Sequence, residues 1–157
     1  MLTLFAHDAA ATDAIGAALA RLLKPGDVVS LYGDLGTGKT ALARAVIRAR
    51  LEDADLDVPS PTFALVQPYP GVVHADLYRL SHEDEIDELG LLDDPEAVVL
   101  VEWPDRAPHL ETLPGYAVTL ALHGPGEERI LTITERGGRS LDPLALALAP
   151  WAVNPQD

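Results

Sequence analysis

The sequence has no cysteine and few basic residues, and both shortages exclude classes of protein. Without cysteine, neither a disulfide scaffold nor a thiolate metal site can form. Only 11 lysines and arginines stand against 25 acidic residues, for a formal net charge of −14. Proteins that bind nucleic acid directly usually gain affinity from lysine and arginine at phosphates. The acidity therefore indicates either a means of staying soluble or a protein that meets nucleic acid only through a less acidic partner.

Long hydrophobic runs are missing as well. The apolar run at the N-terminus stops at His7 and Asp8, which is too short for a spanning helix, and it lacks the basic start of a signal peptide. We therefore expect a cytoplasmic protein without membrane contact. Since 48% of the 157 residues are hydrophobic, the chain can bury a real core, and we expect residues 1–157 to form a single domain.

Hydrophobic periodicity predicts an alternation of strands and helices in the first half of the chain. The predicted elements are a helix at Thr12–Leu23, a strand "VVSLY", a helix "KTALARAVIRARL", and two strands "FALVQPY" and "VVHADLYRL" joined at Pro70-Gly71. A further helix, "SHEDEIDELGLL", follows, with Ser81 and Asp84 in capping-box positions.

The second half predicts mainly strands. "AVVLVEW" is a continuous apolar run, as expected of a strand buried on both faces. "YAVTLALH" and "RILTITER" are predicted to form an antiparallel edge pair, and "LDPLALALAPW" a closing helix. Strands separated by helices and then a meander predict an α/β sandwich with a mixed, partly parallel sheet.

The stretch "LYGDLGTGKTALAR" contains a phosphate-binding loop. Gly33, Gly38, Lys39 and Thr40 fit G-x-x-x-x-G-K-[ST], placed as required between a predicted strand and a predicted helix. Glycines allow successive N–H groups to face one anion, and the helix start is electropositive. Lys39 would reach the β- and γ-phosphates, and the Thr40 hydroxyl would bind Mg²⁺. The predicted nucleotide-binding residues of this loop are Gly33, Asp34, Leu35, Gly36, Thr37, Gly38, Lys39, Thr40 and Ala41.

A phosphate loop also needs an acid on the metal side, usually at the end of a buried strand. Asp76 follows "VVHA", and Glu102 follows "AVVLV". Glu102 ends the more hydrophobic run and is the better candidate for holding Mg²⁺, directly or through water. Asp76 could orient the attacking water or complete the metal shell. We therefore predict Lys39, Asp76 and Glu102 as the catalytic residues.

Two further patterns narrow the chemistry. The guanine-reading element N/T-K-x-D is absent, and the sole asparagine is Asn154, so ATP is favoured over GTP. The five histidines, at positions 7, 74, 82, 109 and 123, lack metal-site spacing. They are expected to be ordinary surface or core residues.

Four motifs together resemble one known family. "LYGDLGTGKT", "SPTFALVQPY", "HADLYRL" and "LVEWPDR" occur in the order and spacing of the bacterial TsaE family, over nearly the whole chain. These are small P-loop ATPases involved in making threonylcarbamoyladenosine (t6A) in tRNA. The resemblance implies a P-loop NTPase-like three-layer sandwich in which the loop binds ATP and Thr40 and Glu102 hold Mg²⁺. It also implies that Asp76 is the acid needed for hydrolysis.

The resemblance implies roles for three other residues and for partners. Thr62, in "SPTF", would belong to a switch-like segment responding to the γ-phosphate. Trp103 would pack at the nucleotide site or a partner interface, and Arg129 matches a basic position near the adenine. TsaB and TsaD subunits would bind the tRNA, so this chain would meet it only indirectly. ATP binding would assemble the complex that modifies position 37, and slow hydrolysis would reset it.

Two alternatives stay open. A small-molecule P-loop kinase has a similar size, but it usually carries a mobile lid with several arginines, and Arg129, Arg136 and Arg139 follow no obvious lid pattern. A nucleotide-sensing module that does not hydrolyse ATP is the other, although Asp76 and Glu102 weigh against it.

Overall fold

A computed structural model describes residues 1–154, which build one seven-stranded sheet with helices. The strands are β1 (Leu2–Ala6), β2 (Val28–Tyr32), β3 (Val66–Tyr69), β4 (Val72–Asp76), β5 (Val98–Glu102), β6 (Gly115–Leu122) and β7 (Arg129–Arg136). The helices are α1 (Ala9–Ala20), α2 (Lys39–Arg50), α3 (Glu85–Leu89) and α4 (Asp142–Ala147). Short 3₁₀ turns lie at Pro104–Arg106, Pro108–Thr112 and Ala149–Trp151.

The sheet is mixed, as predicted. Its strand order is β1-β7-β6-β2-β5-β4-β3, in which β6, β2, β5 and β4 run parallel and the outer strands pair antiparallel. The register pairs Asp76 of β4 with Glu102 of β5, and Leu31 of β2 with the same Glu102. The carboxyl ends of these three strands therefore meet at one edge of the sheet, where α/β folds bind their ligands.

Alternate residues of the parallel strands pack into two separate cores, one on each face. Val29 of β2 packs with Ile15 of α1 and Ile47 of α2. On the other face, Val99 of β5 packs with Ile86 of α3. This alternation is what the side-chain period of two in a strand requires. The arrangement confirms the predicted three-layer sandwich.

Helix α1 lies three residues earlier than predicted. Asp8 caps its start, because the Asp8 carboxylate accepts a hydrogen bond from the Ala11 N–H at 2.8 Å. It ends at Ala20, whose carbonyl accepts a hydrogen bond from Arg50 Nη1 at 3.0 Å. The start of α1 is thus set by a side chain that is adjacent in sequence, whereas its end is bound by a side chain from α2. The other main helix, α2, begins at Lys39 as predicted.

Three further predictions need correction. The pair β6–β7 is antiparallel but not at the edge, because β1, which the sequence did not reveal, pairs with β7 outside it. The capping box at Ser81 and Asp84 is wrong; α3 begins at Glu85, whose side chain accepts from the His82 N–H at 3.1 Å. The strands β3 and β4 are shorter than "FALVQPY" and "VVHADLYRL", since Phe63 lies in an exposed turn.

Among residues 1–154, no helix is long and apolar enough to cross a membrane.

Candidate functional site

The phosphate loop connects β2 to α2 at the carboxyl edge of the sheet. Gly36 and Gly38 have φ of 82° and 103°, which glycine adopts without strain. The Thr37 hydroxyl donates a hydrogen bond to the Asp34 carbonyl at 2.9 Å, closing the turn. Gly38 has no side chain to cap α2, so the unsatisfied N–H groups of its first turn are open to an anion.

Lys39 lies inside the loop with its amine against backbone oxygens. Nζ donates to the Gly33 carbonyl at 2.6 Å and the Asp34 carbonyl at 2.9 Å. Burial lowers the pKa of Lys39, and the negative charges of Glu102 and Asp76 oppose that shift. The amine is thus a buried donor in an otherwise acidic cleft.

Glu102 is held between α2 and β4. Its Oε1 accepts a hydrogen bond from the Thr40 hydroxyl at 2.7 Å, and its Oε2 accepts one from His74 Nε2 at 2.7 Å. The side chains of Glu102 and His74 are 3% and 0% exposed, so solvent does not compete for either contact. A hydroxyl and a carboxylate oxygen thus converge at the start of α2.

Asp76, at the end of β4, faces the segment that contains Thr62. Its Oδ1 accepts from the Tyr78 N–H at 3.0 Å, and the Thr62 hydroxyl lies 3.4 Å from Oδ2. Ser60 and Thr62 hydroxyls are 2.7 Å apart. The Asp76 N–H also donates to the Leu65 carbonyl at 2.9 Å, which ties this segment to β4. Among residues 1–154, Oδ2 has only the 3.4 Å contact with Thr62, so it can still accept a hydrogen bond from another donor.

The indole ring of Trp103 packs against the amine of Lys39. Its backbone has φ 57° and ψ 51°, a left-handed conformation that is uncommon for a large side chain. Lys39 Nζ lies 4.3 Å from the centre of the indole ring, within cation–π distance. The Tyr78 ring lies 5.0 Å from the indole ring. Trp103 therefore forms one wall of the cleft.

These residues line a common cleft of about 310 Å³. Its lining residues are Leu35, Gly36, Gly38, Lys39, Thr40, Ala41, Ser60, Thr62, Asp76, Glu102 and Trp103. The structure thus brings most of the predicted site together. Gly33, Asp34 and Thr37 do not line the cleft but support it through the contacts of Lys39 and Thr37 described above.

Arg129 lies outside this cleft, behind the loop. Its Nε donates to the Thr37 carbonyl at 2.9 Å, and its Nη1 donates to the Gly126 and Glu128 carbonyls at 2.9 Å each. Arg129 lines a smaller neighbouring cavity of about 80 Å³. The other lining residues there are Ala9, Thr12, Thr37, Gly38, Ala41 and Glu127. Its guanidinium therefore braces the loop, and it also faces a space next to the cleft.

The cleft suits Mg²⁺ delivered with a nucleotide. The Thr40 hydroxyl and the Glu102 carboxylate are both oxygen donors, 2.7 Å apart, and oxygen is the donor that Mg²⁺ prefers. Magnesium is usually bound through one or two carboxylates plus substrate phosphates rather than by an all-protein cage. Across residues 1–154, no group of three or more histidine or acidic side chains is placed to hold a metal. The donor set fits the predicted ion with phosphate oxygens completing its shell.

Sequence reasoning missed two residues of this site. His74 is a core residue, which the sequence analysis allowed, but its contact with Glu102 was not predicted. Strand alternation was the available signal, since His74 and Asp76 share a face of a buried strand. Ser60, also in the cleft, stands in the "SPTF" motif two residues before Thr62.

Comparison with known proteins gives consistent matches. The family model "Threonylcarbamoyl adenosine biosynthesis protein TsaE" matches residues 6–131. A Rickettsia felis relative is 38% identical over 128 residues, covering 78% of this chain and 74% of its own. A Bacillus subtilis relative is 38% identical over 137 residues, covering 82% of each chain. Both are named tRNA threonylcarbamoyladenosine biosynthesis protein TsaE.

A solved structure gives the same answer for the fold. The crystal structure of Bacillus subtilis YdiB superposes with a TM-score of 0.71 at 26% identity, covering 93% of both chains. The family model spans residues 6–131, far more than half of the chain, and each of the two relatives is 38% identical over more than two thirds of both chains. The chain belongs to the TsaE family.

Proposed function

We propose that this protein binds ATP with Mg²⁺, hydrolyses it slowly, and serves the synthesis of threonylcarbamoyladenosine at position 37 of tRNA. One observation carries the nucleotide part of the proposal. The Thr40 hydroxyl meets Glu102 Oε1 at 2.7 Å within a cleft that also contains Lys39 and Asp76. A phosphate loop, a metal-side acid and a second acid thus converge, as phosphoryl transfer from a nucleotide requires.

The proposed roles follow from these contacts. Lys39 and the N–H groups at the start of α2 bind the phosphates. Thr40 and Glu102 hold Mg²⁺, which neutralises charge on the phosphates when bound. Asp76 directs its weakly engaged Oδ2 at the attacking water. In this role Asp76 would take the proton or position the water from a buried site beside the Thr62 hydroxyl.

The base is proposed to occupy the smaller cavity beside Arg129. That cavity shares Gly38 and Ala41 with the main cleft, so a nucleotide can extend from one into the other. Because the Arg129 guanidinium is engaged by backbone carbonyls, it would contact the adenine through its flat face rather than through a new hydrogen bond.

Slow hydrolysis by the isolated chain is part of the proposal. Among the residues that line the cleft within positions 1–154, none is an arginine. An arginine that stabilises transition-state charge accelerates related hydrolases by about 10³–10⁵-fold. A chain that lacks one in its cleft should turn over slowly without partners.

The relatives' names support the tRNA pathway, and the charge supports an indirect role in it. With a net charge of −14, this chain is poorly suited to hold tRNA itself. We propose that TsaB and TsaD subunits carry the tRNA in the cytoplasm. ATP binding to this chain would assemble the complex, and hydrolysis would reset it.

The kinase alternative would need arginines free to form a mobile lid, and the three arginines near the C-terminus do not favour it. Arg129 binds the loop backbone, Arg136 Nη2 donates to the Tyr32 hydroxyl at 2.8 Å, and Arg139 pairs with Asp27. The guanidinium N–H groups of each are thus engaged in contacts within the fold. Acceptor-dependent release of ADP from an isolated chain would nevertheless favour the kinase.

The deciding experiment follows tRNA modification over many turnovers by the reconstituted assembly. Wild type should sustain turnover, whereas Lys39→Ala and Glu102→Ala should stall after about one cycle. Glu96→Ala is the matched control, because this exposed carboxylate lies just before β5, at the opposite end of that strand from Glu102. Modification that proceeds equally with wild type, Lys39→Ala and Glu102→Ala would contradict the tRNA role and call for an acceptor screen.

A further inference from the structure

His74 is a completely buried polar side chain with one polar contact. The residue is 0% exposed, and its Nε2 lies 2.7 Å from Glu102 Oε2. The other ring nitrogen, Nδ1, has no hydrogen-bond partner within residues 1–154. Buried polar atoms are nearly always hydrogen-bonded, so the placement of an imidazole here carries a cost. The hydrogen bond to Glu102 offsets part of that cost.

The strand register explains how the two side chains meet. His74 is aligned with Leu100, so Glu102 lies two residues further along the neighbouring strand. Residues two apart on a strand share a face, which puts His74, Asp76 and Glu102 on one side of the sheet. Glu102 thus meets β4 through Oε2 and α2 through Oε1.

We propose that His74 is a positioning residue that orients Glu102 toward Mg²⁺; this rests on the proposed function. An ionised carboxylate only accepts hydrogen bonds, so Nε2 must carry a proton to bind Oε2. The Nε2–H group holds Oε2 and thereby directs Oε1 at the Thr40 hydroxyl, where the ion would lie. Without this hydrogen bond the carboxylate could rotate away. Loss of such outer-shell partners typically weakens metal binding by about 10–100-fold.

The test separates metal binding from nucleotide binding in the full-length chain. Affinity for a non-hydrolysable ATP analogue is measured by calorimetry with EDTA and again with Mg²⁺. The ratio of the affinity with Mg²⁺ to the affinity with EDTA reports the ion's contribution. His74→Leu should leave the EDTA value within about threefold of wild type while reducing the ratio by about tenfold or more. His74→Gln should recover most of the ratio, because its amide N–H can still donate to Glu102.

Two controls make the outcomes distinct. Val72→Ala removes another buried side chain from the same face of β4 and should lower stability without changing the ratio. If wild type gains nothing from Mg²⁺, the proposed function fails and this inference fails with it. If Glu102→Gln abolishes the gain and His74→Leu preserves it, only the inference about His74 is overturned.

The wild-type protein offers a test that needs no substitution. Nitrogen NMR of the His74 ring should show a proton on Nε2, because that proton forms the hydrogen bond to Glu102. A ring protonated at Nδ1 alone would overturn the proposed hydrogen bond, whatever the fate of the variants. This measurement also decides the matter if His74→Leu does not fold.

Discussion

Gly33 and Gly36 lie in the same loop, and the structure predicts different costs for an alanine at each. A Cβ at Gly33 would lie 2.5 Å from Thr37 Oγ1 and 2.7 Å from the Leu120 carbonyl oxygen. A Cβ at Gly36 would have nothing within 4 Å in the part of the chain that the structure describes. Both glycines have positive φ, 147° and 82°, so both substitutions carry backbone strain. Only Gly33→Ala adds a collision.

The expected losses of folding stability follow from the backbone strain and the collision. A left-handed φ costs an L-residue about 1–2 kcal/mol, which is the whole penalty for Gly36→Ala, and the φ of 147° at Gly33 costs at least as much. Crowding against a well-packed neighbour adds about 1–3 kcal/mol at Gly33, because the Leu120 carbonyl belongs to β6 and cannot move freely. Gly33→Ala should therefore cost about 2–5 kcal/mol in total. For a chain of this size, 1 kcal/mol corresponds to about 2–4 °C in Tm.

Urea unfolding of the nucleotide-free proteins, followed by circular dichroism, measures both costs. The slope of free energy against urea should be the same for the two variants, so that the midpoints compare stability alone. Equal destabilisation by the two alanines would refute the reasoning, since it would mean that the contacts around Gly33 do not constrain the loop. A neutral Gly33→Ala would refute it more strongly.

Three other predictions concern single side chains. Burial raises the pKa of Tyr116. The contribution of this residue to folding stability is therefore complete below about pH 10 and is lost as the pH rises through the folded-state pKa. Tyr116→Phe should flatten the alkaline fall in the urea midpoint, and an unchanged fall would contradict this. Asp27→Ala removes three hydrogen bonds, two from Arg139 at 3.0 and 3.2 Å and one from the Lys24 N–H at 2.8 Å, and should cost about 3 kcal/mol or more in urea unfolding. Calorimetry should find its nucleotide affinity unchanged, because Asp27 lies at the far end of β2 from the loop; a weakened affinity would count against that separation. Thr62→Val should slow single-turnover hydrolysis by about tenfold or more while ADP affinity stays within about threefold, and an unchanged rate would exclude a role for its hydroxyl beside Asp76.

The phosphate loop could be predicted from the sequence because its geometry is local. Glycine at positions 33 and 38, then Lys39 and Thr40, specify a turn and a helix start within eight consecutive residues. The acids Asp76 and Glu102 were also predictable as strand-end residues. Their partners were not, because Thr40 and Glu102 are 62 positions apart and meet only through strand order. Nothing in a single sequence states that β5 lies between β2 and β4.

Local signals also failed where burial is incomplete. In β1, Leu4 and Ala6 are fully buried while the other three residues are only partly buried, so its alternation is weak. It is an edge strand whose position depends on β7, more than a hundred residues later. The predicted start of α1 was late because Ala9, Ala10 and Ala11 carry no apolar periodicity, and only the Asp8 cap marks the true beginning.

The acidity of the chain and its proposed affinity for a nucleotide pull in opposite directions. A net charge of −14 repels a polyphosphate at distances comparable to the screening length, about 8 Å at physiological salt. Attraction must therefore arise at short range, from the N–H groups at the start of α2, the buried amine of Lys39 and an ion beside Glu102. A nucleotide offers its phosphates to that one point, whereas tRNA would also spread phosphates across the acidic surface. The same charge distribution is thus compatible with both parts of the proposal, a nucleotide in the cleft and tRNA held by a partner.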